Sequence, residues 1–158
     1  MIQTHHTIQY LTLLAGTLIF AGCSQSPYLG TEYVEGIVTV GGSPIEGANV
    51  TFIPAESAQG ITGIGVTDAS GKYQLTTVSS RDGLKPRHGA GVVAGVYNVT
   101  IEKVEIPADI QAKLNAGIKV PYDPSKMNYA VPRKYSSPEQ SGLQVEVVSG
   151  SNTIPFDL

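Results

Sequence analysis

The stretch Gly65-Val66-Thr67-Asp68-Ala69-Ser70-Gly71-Lys72-Tyr73-Gln74-Leu75 constrains the fold of this chain more than any other. Two runs in which apolar and polar residues alternate flank Asp68 to Gly71. Asp can hydrogen-bond its own backbone there and Gly can take φ > 0, so the stretch is read as a tight β-hairpin. The rest of the composition agrees with a β reading. With 18 Gly, 10 Pro, no Trp and only 15% charged residues, the chain favours short strands and many turns over long, salt-bridged helices.

Period two recurs on both sides of that stretch. Val34, Gly36, Val38 and Val40 share one face of a first strand, with Tyr33, Glu35 and Thr39 on the other, and Gly41-Gly42-Ser43-Pro44 ends it. Ala48, Val50 and Phe52 alternate with Asn49 and Thr51 until Pro54 stops the ladder. Ile64 and Val66 lead into the hairpin, and Tyr73 and Leu75 lead out. Glycines at 60, 63 and 65 mark a bulge or the close approach of another backbone. Tyr97, Val99 and Ile101 form a fifth strand, Val145 and Val147 a sixth, and Ile154, Phe156 and Leu158 a seventh. Seven short strands with turn punctuation predict an antiparallel β-sandwich, and 158 residues predict one domain. Residues 104–131 interrupt the pattern as an insert. Pro107 there is expected in the first turn of a short helix, with Ile110 and Leu114 on one face and Gly117 as its stop. Pro121, Tyr122, Asp123, Pro124 and Pro132 then read as extended loop.

Residues 1–22 contain no Asp, Glu, Lys or Arg, and Tyr10 to Phe20 is an apolar run of the length of a signal-peptide core, short for a membrane span. Its end, Phe20-Ala21-Gly22-Cys23, resembles a bacterial lipobox, at which a prolipoprotein is acylated on Cys and cut just before it. It departs from that pattern in Phe20, where Leu is usual, and in an N-terminal region without Lys or Arg. Cys23 is the only cysteine of the chain, and acylation consumes a thiol that is otherwise odd in an exported protein. The alternatives are an ordinary signal peptide or an uncleaved anchor. The expected layout is a lipoprotein signal peptide at 1–22, a flexible tether at 23–32 and the β domain at 33–158.

Thr67-Asp68-x-x-Gly71-x-Tyr73-x-Leu75 resembles the hairpin of carboxypeptidase regulatory-like domains, which are small prealbumin-like β-sandwiches. Gly95-Val96-Tyr97 resembles the Gly-x-Tyr strand opening of the same family. The order of lipobox, two early hairpins, Gly-x-Tyr strand, Pro132-Arg133-Lys134-Tyr135-Ser136 and terminal hydrophobic strand is similar to small lipoproteins abundant in planctomycete bacteria. The 104–131 insert departs from the tight core of that family. The resemblance implies an all-β fold: a seven-stranded antiparallel β-sandwich, prealbumin-like or Ig-like, with one short helix in the insert. It implies no catalytic set, and the name of the family implies no peptidase activity here.

Candidate chemistry is sparse. A net charge of −3 leaves no electrostatic footprint for nucleic acid. His88 is the only histidine after residue 22, so a hydrolase triad would have to draw on it with Ser79, Ser80 or Asp82, and no nucleophile elbow accompanies them. Gly63-x-Gly65 lacks the helix that a nucleotide site needs. Asp68-x-Ser70 and Asp123-x-Ser125 do not fit an EF-hand spacing, so neither metal nor cofactor is expected. A binding role finds more support. Tyr122, Tyr129 and Tyr135 lie in irregular segments beside Arg133 and Lys134, and tyrosine with arginine is the composition of binding surfaces. The bland alternative is that these tyrosines pack the insert onto the sheet. In the 78–94 connection Arg81, Lys85, Arg87 and His88 would meet an anionic glycan or lipid headgroup, or simply stay solvated. The sequons Asn49-Val50-Thr51 and Asn98-Val99-Thr100 fall within strands and are read as strand sequence.

The expectation is therefore a non-enzymatic lipoprotein, exported and lipid-anchored in the bacterial cell envelope on its periplasmic or outer-membrane side. It is expected to act as a structural or binding module. The membrane through its N-terminal lipid, and an envelope protein or glycan, are the partners implied. A carbohydrate- or protein-ligand binding accessory protein is the alternative, with a small hydrolase around His88 third.

Overall fold

The computed structural model describes residues 30–56, 60–78, 91–121 and 123–158. In chain order the strands are β1 (Tyr33–Val40), β2 (Ser43–Pro44), β3 (Asn49–Pro54), β4 (Gly63–Val66), β5 (Lys72–Gln74), β6 (Thr76–Thr77), β7 (Gly95–Glu102), β8 (Val104–Glu105), β9 (Asn128–Tyr129), β10 (Gln144–Val147), β11 (Ser151–Thr153) and β12 (Phe156–Asp157). Two short helices, α1 (Ala108–Asn115) and α2 (Pro138–Ser141), and 3₁₀ turns at Pro124–Lys126 and Arg133–Ser136 complete the described elements. The chain is all-β in class; the alternating runs read from the sequence overlap strands, but Leu75, Ile154 and Leu158 fall outside them, and the expected seventh strand is reduced to Phe156–Asp157.

The larger ladder runs β10-β7-β3-β4-β6, antiparallel throughout. Its spine is the β3–β7 pair, in register from Asn49 opposite Glu102 to Pro54 opposite Tyr97. Alternation puts Val50, Phe52, Tyr97, Val99 and Ile101 on the inner face, where all are fully buried. In the second sheet β1 is the middle strand. The carbonyl of Val34 accepts from the Leu75 N–H at 3.0 Å on the β5 side, whereas that of Glu35 accepts from the Ile154 N–H at 2.8 Å on the other. β2 and β5 pair with β1 antiparallel, but β11 and β12 run parallel to it. The purely antiparallel arrangement expected from the sequence is thus corrected at the closing segment. That segment follows β10 of the other sheet and enters beside the start of β1, so the two strands point the same way.

The organising hairpin is corrected as well. Its turn forms as read: Gly71 N–H donates to the Asp68 carbonyl and Asp68 N–H to the Lys72 carbonyl, each at 2.8 Å. The Asp68 carboxylate accepts from Ser70 N–H at 2.8 Å, Ser70 Oγ at 2.7 Å and Lys72 N–H at 3.0 Å. Beyond the turn, however, the return arm leaves β4. Lys72–Gln74 pairs with β1, and only at Thr76 does the chain come back opposite Ile64. The glycines of β4 permit the crossing. A Cβ on Gly65 would stand 2.7 Å from the Gln74 carbonyl oxygen, and one on Gly63 would overlap the Val92 side chain.

One core joins the two sheets. Val34, Val38, Tyr73 and Phe156 from the smaller sheet meet Val50, Phe52, Tyr97, Val99, Ile101 and Val147 from the larger. Phe52 sits at its centre, with ring centroids 5.9 Å from Tyr97, 6.3 Å from Phe156 and 6.4 Å from Tyr73. Such pairs contribute about 0.5–1.5 kcal/mol each beyond their burial. The two buried tyrosine hydroxyls are satisfied by backbone: Tyr73 donates to the Ile154 carbonyl at 2.7 Å and Tyr97 to that of Val93 at 2.6 Å. Burial pushes the pKa of both phenols up, so they stay neutral donors.

Candidate functional site

The insert grows out of β7 and returns through β9. Lys103 fastens its root, donating from Nζ to the Glu46 carbonyl at 2.7 Å and lying 3.7 Å from the Glu105 carboxylate. β8 and β9 pair antiparallel, with Val104 opposite Tyr129, and Ala130 N–H closes the ribbon on the Lys103 carbonyl at 3.1 Å. Val131 then turns inward and is buried in the core. Pro132 opens the 3₁₀ turn Arg133–Ser136, which is held by Tyr135 N–H on the Pro132 carbonyl at 3.0 Å and by Ser136 Oγ on the Arg133 carbonyl at 2.8 Å. Tyr135 packs half-buried against the core. With Val131 and Tyr135 both directed inward, the two residues between them and the surface, Arg133 and Lys134, are exposed.

Each of these cations lies on a tyrosine. The Arg133 guanidinium carbon is 4.9 Å from the Tyr129 ring centroid, and Lys134 Nζ is 4.6 Å from that of Tyr135. Pairs of this kind at an exposed site contribute about 0.5–1 kcal/mol. Four of the expected binding residues, Tyr129, Arg133, Lys134 and Tyr135, are thus brought to one corner of the molecule. Tyr135 packs the segment down onto the core, and its ring also carries Lys134. Tyr122, Arg81, Arg87, His88 and Cys23 lie outside the described residues.

Around the helix of the insert the expectation is partly corrected. Pro107 is the residue before α1, not one within its first turn, and its carbonyl accepts from Gln111 N–H at 2.9 Å. Ile110 is buried but Leu114 is exposed. The stop is as read: Gly117 takes φ +74°, its N–H donates to Leu114 at 3.0 Å and Ile118 N–H to Lys113 at 3.0 Å, which is a Schellman end. Residues 121–132, expected as extended loop, include the 3₁₀ turn Pro124–Lys126 and strand β9. Val104, Ile106, Ile110, Leu114, Val120 and Met127 line a groove of about 430 Å³ beside this helix. The sequence reading missed that groove, although Ile106, Ile110, Leu114 and Ile118 recur every four residues.

A second concavity, about 660 Å³, opens where β5 leaves β4 and is lined by Tyr33, Ile64, Val66, Lys72, Gln74 and Val78 among others. On its rim Tyr33 donates to Glu35 at 2.6 Å and Lys72 pairs with Glu35 at 3.0 Å. The hydrogen bond from Tyr33, and then that from Lys72, hold the Glu35 carboxyl below its ordinary range, while Glu35 raises both Tyr33 and Lys72. Each shift reinforces the charge state that these groups already have at neutral pH. Among the described residues no three His, Cys, Asp or Glu side chains gather as a metal site, and no helix is long and apolar enough to cross a membrane. No protein-family model matches the chain, and comparison with curated proteins likewise finds no match.

Proposed function

We propose that this chain is an exported, non-enzymatic bacterial lipoprotein. It is held to the cell envelope through acylated Cys23 and works there as a structural or binding module. We assign its β domain to the prealbumin-like sandwiches of the carboxypeptidase regulatory-like type. Seven alternating runs in two sheets around one aromatic core support that assignment. The lipobox-like Phe20-Ala21-Gly22-Cys23 supports the anchor. More than one acyl chain at about 0.8 kcal/mol per buried CH₂ makes such attachment effectively permanent.

The observation that carries the binding role is the corner in which Arg133 lies on Tyr129 and Lys134 on Tyr135. Buried polar side chains, by contrast, are engaged in holding backbone: Thr67 Oγ1 accepts from Ala48 N–H at 2.7 Å, and Thr77 Oγ1 donates to the Gly91 carbonyl at 2.7 Å. Two measurements test the proposal. Mass spectrometry of the N-terminus purified from cells is expected to find an acylated Cys23, and an unmodified cysteine there rejects the anchor. Glycan and peptide arrays are expected to return a saturable ligand that is lost on Tyr129→Ala at an unchanged melting temperature. Arrays with no saturable ligand reject the binding role.

A further inference from the structure

We infer that the Arg133–Lys134 corner takes a carboxylate-bearing polysaccharide; this rests on the binding reading above and names its ligand class. The first observation is how the described cations are used. Lys72 pairs with Glu35 at 3.0 Å, Lys103 with Glu105 at 3.7 Å, Lys113 with Asp109 at 3.5 Å and Lys126 with Asp123 at 3.6 Å, while Lys119 is a single exposed lysine with no ion pair among the described residues. Arg133 and Lys134 make no ion pair with a carboxylate among the described residues, although the chain carries 13 acidic side chains to 10 basic ones. Two consecutive cations without an internal counter-charge form a site for an external anion.

The second observation is pre-organisation. A guanidinium over a ring keeps its N–H edge free, and that planar edge matches a carboxylate in a two-point hydrogen bond. The ring, together with a turn fastened by Val131 and Tyr135 in the core and by the Ser136 and Tyr135 hydrogen bonds, restrains the cations before a ligand arrives. Less ordering entropy is then lost on binding. The third observation separates polysaccharide from peptide. Extended peptides are usually recognised by adding a strand to a sheet edge, through main-chain hydrogen bonds. The 3₁₀ turn that carries Arg133, Lys134 and Tyr135 offers no such edge, and β9, which carries Tyr129, is only two residues long; the corner presents charged heads and tyrosine rings, which suit a polymer that carries carboxylates on sugar rings.

The test uses the full chain and polygalacturonate as the probe, with a neutral galactan and poly-glutamate as comparators, followed by calorimetry at low and raised salt. Polygalacturonate is expected to bind, to weaken with salt and to bind about tenfold more weakly to the Arg133→Gln, Lys134→Gln double variant. Lys113→Gln, which removes a cation on α1, is expected to leave binding unchanged, and melting temperatures verify that each variant is folded. No binding of polygalacturonate, or equal binding by the double variant, overturns the inference. Poly-glutamate bound more tightly than polygalacturonate overturns the polysaccharide class. If only the neutral galactan binds, and Tyr129→Ala abolishes it, the anionic class falls while the binding reading stands. If none of the three binds and the arrays are also empty, both fall.

Discussion

Gly36 lies in the middle of β1 with ordinary extended backbone, yet its neighbours leave no room for a side chain. A Cβ there would overlap the Ile154 carbonyl and come within 2.7 Å of the Tyr73 ring. Gly36→Ala therefore pushes apart β1 and the closing segment and is expected to destabilise the domain by about 3 kcal/mol or more, measured by denaturant unfolding. Asp68 shows a different dependence, of charge and not of volume. Hydrogen bonds from the Ser70 side chain, then from the Ser70 and Lys72 backbone, hold its carboxyl below the usual range. Glu35, Asp123 and Asp157 are lowered as well, chiefly by hydrogen bonds from Tyr33, Ser125 and Thr39. A carboxyl lowered in the folded state contributes stability that is fully present above its unfolded pKa and is lost as pH falls through the folded one. The melting temperature is thus expected to be level from neutral pH to about 5 and to drop below about 4. Asp68→Ala should lower the neutral melting temperature and flatten that acid slope; an unchanged slope rejects the assignment.

At the scale of elements, α1 is too short to persist alone, so its end structure and its docked Ile110 decide whether it forms. Gly117 supplies the end. No atom lies within 4 Å of where its Cβ would be, so Gly117→Ala meets no clash and only the φ of +74° resists it. The expected cost is about 1 kcal/mol. It should appear as faster amide exchange in residues 108–118 with the exchange of β3 and β7 unchanged; faster exchange across the sheets would show that the helix supports the core. Gly36 and Gly117 are thus opposite cases: one residue is glycine for space, the other for dihedral.

Across the whole molecule, stability depends on two sheets sharing one set of rings. Phe52 is the residue whose ring meets Tyr97 on its own sheet and both Tyr73 and Phe156 on the other. Phe52→Ala leaves a cavity between the layers and is expected to cost about 3–5 kcal/mol. Because both sheets lose contacts at once, near-ultraviolet and far-ultraviolet signals should still melt in one transition at a lower temperature. Two separated transitions would mean that the layers fold independently.

The sequence alone determined what is local. Asp68 to Gly71 specifies its turn because the carboxylate, the hydroxyl of Ser70 and the φ of Gly71 all act within four residues. Period-two alternation determined which side chains face inward on β1, β3 and β7, though on β4 it is Gly63 and Gly65 that are buried while Ile64 and Val66 are exposed, and Gly117 determined where the helix stops. Alternation does not say which neighbour a strand's edge will find. Only the tertiary structure decided that Lys72–Gln74 pairs with β1, that Phe156 returns beside Val38 in parallel, and that Val131, inside an irregular segment, belongs to the core. It also decided that Arg133 rests on Tyr129, across a ribbon and a turn. Such pairings are selected by how well distant surfaces fill one interior, and that competition leaves no periodicity in the chain to read.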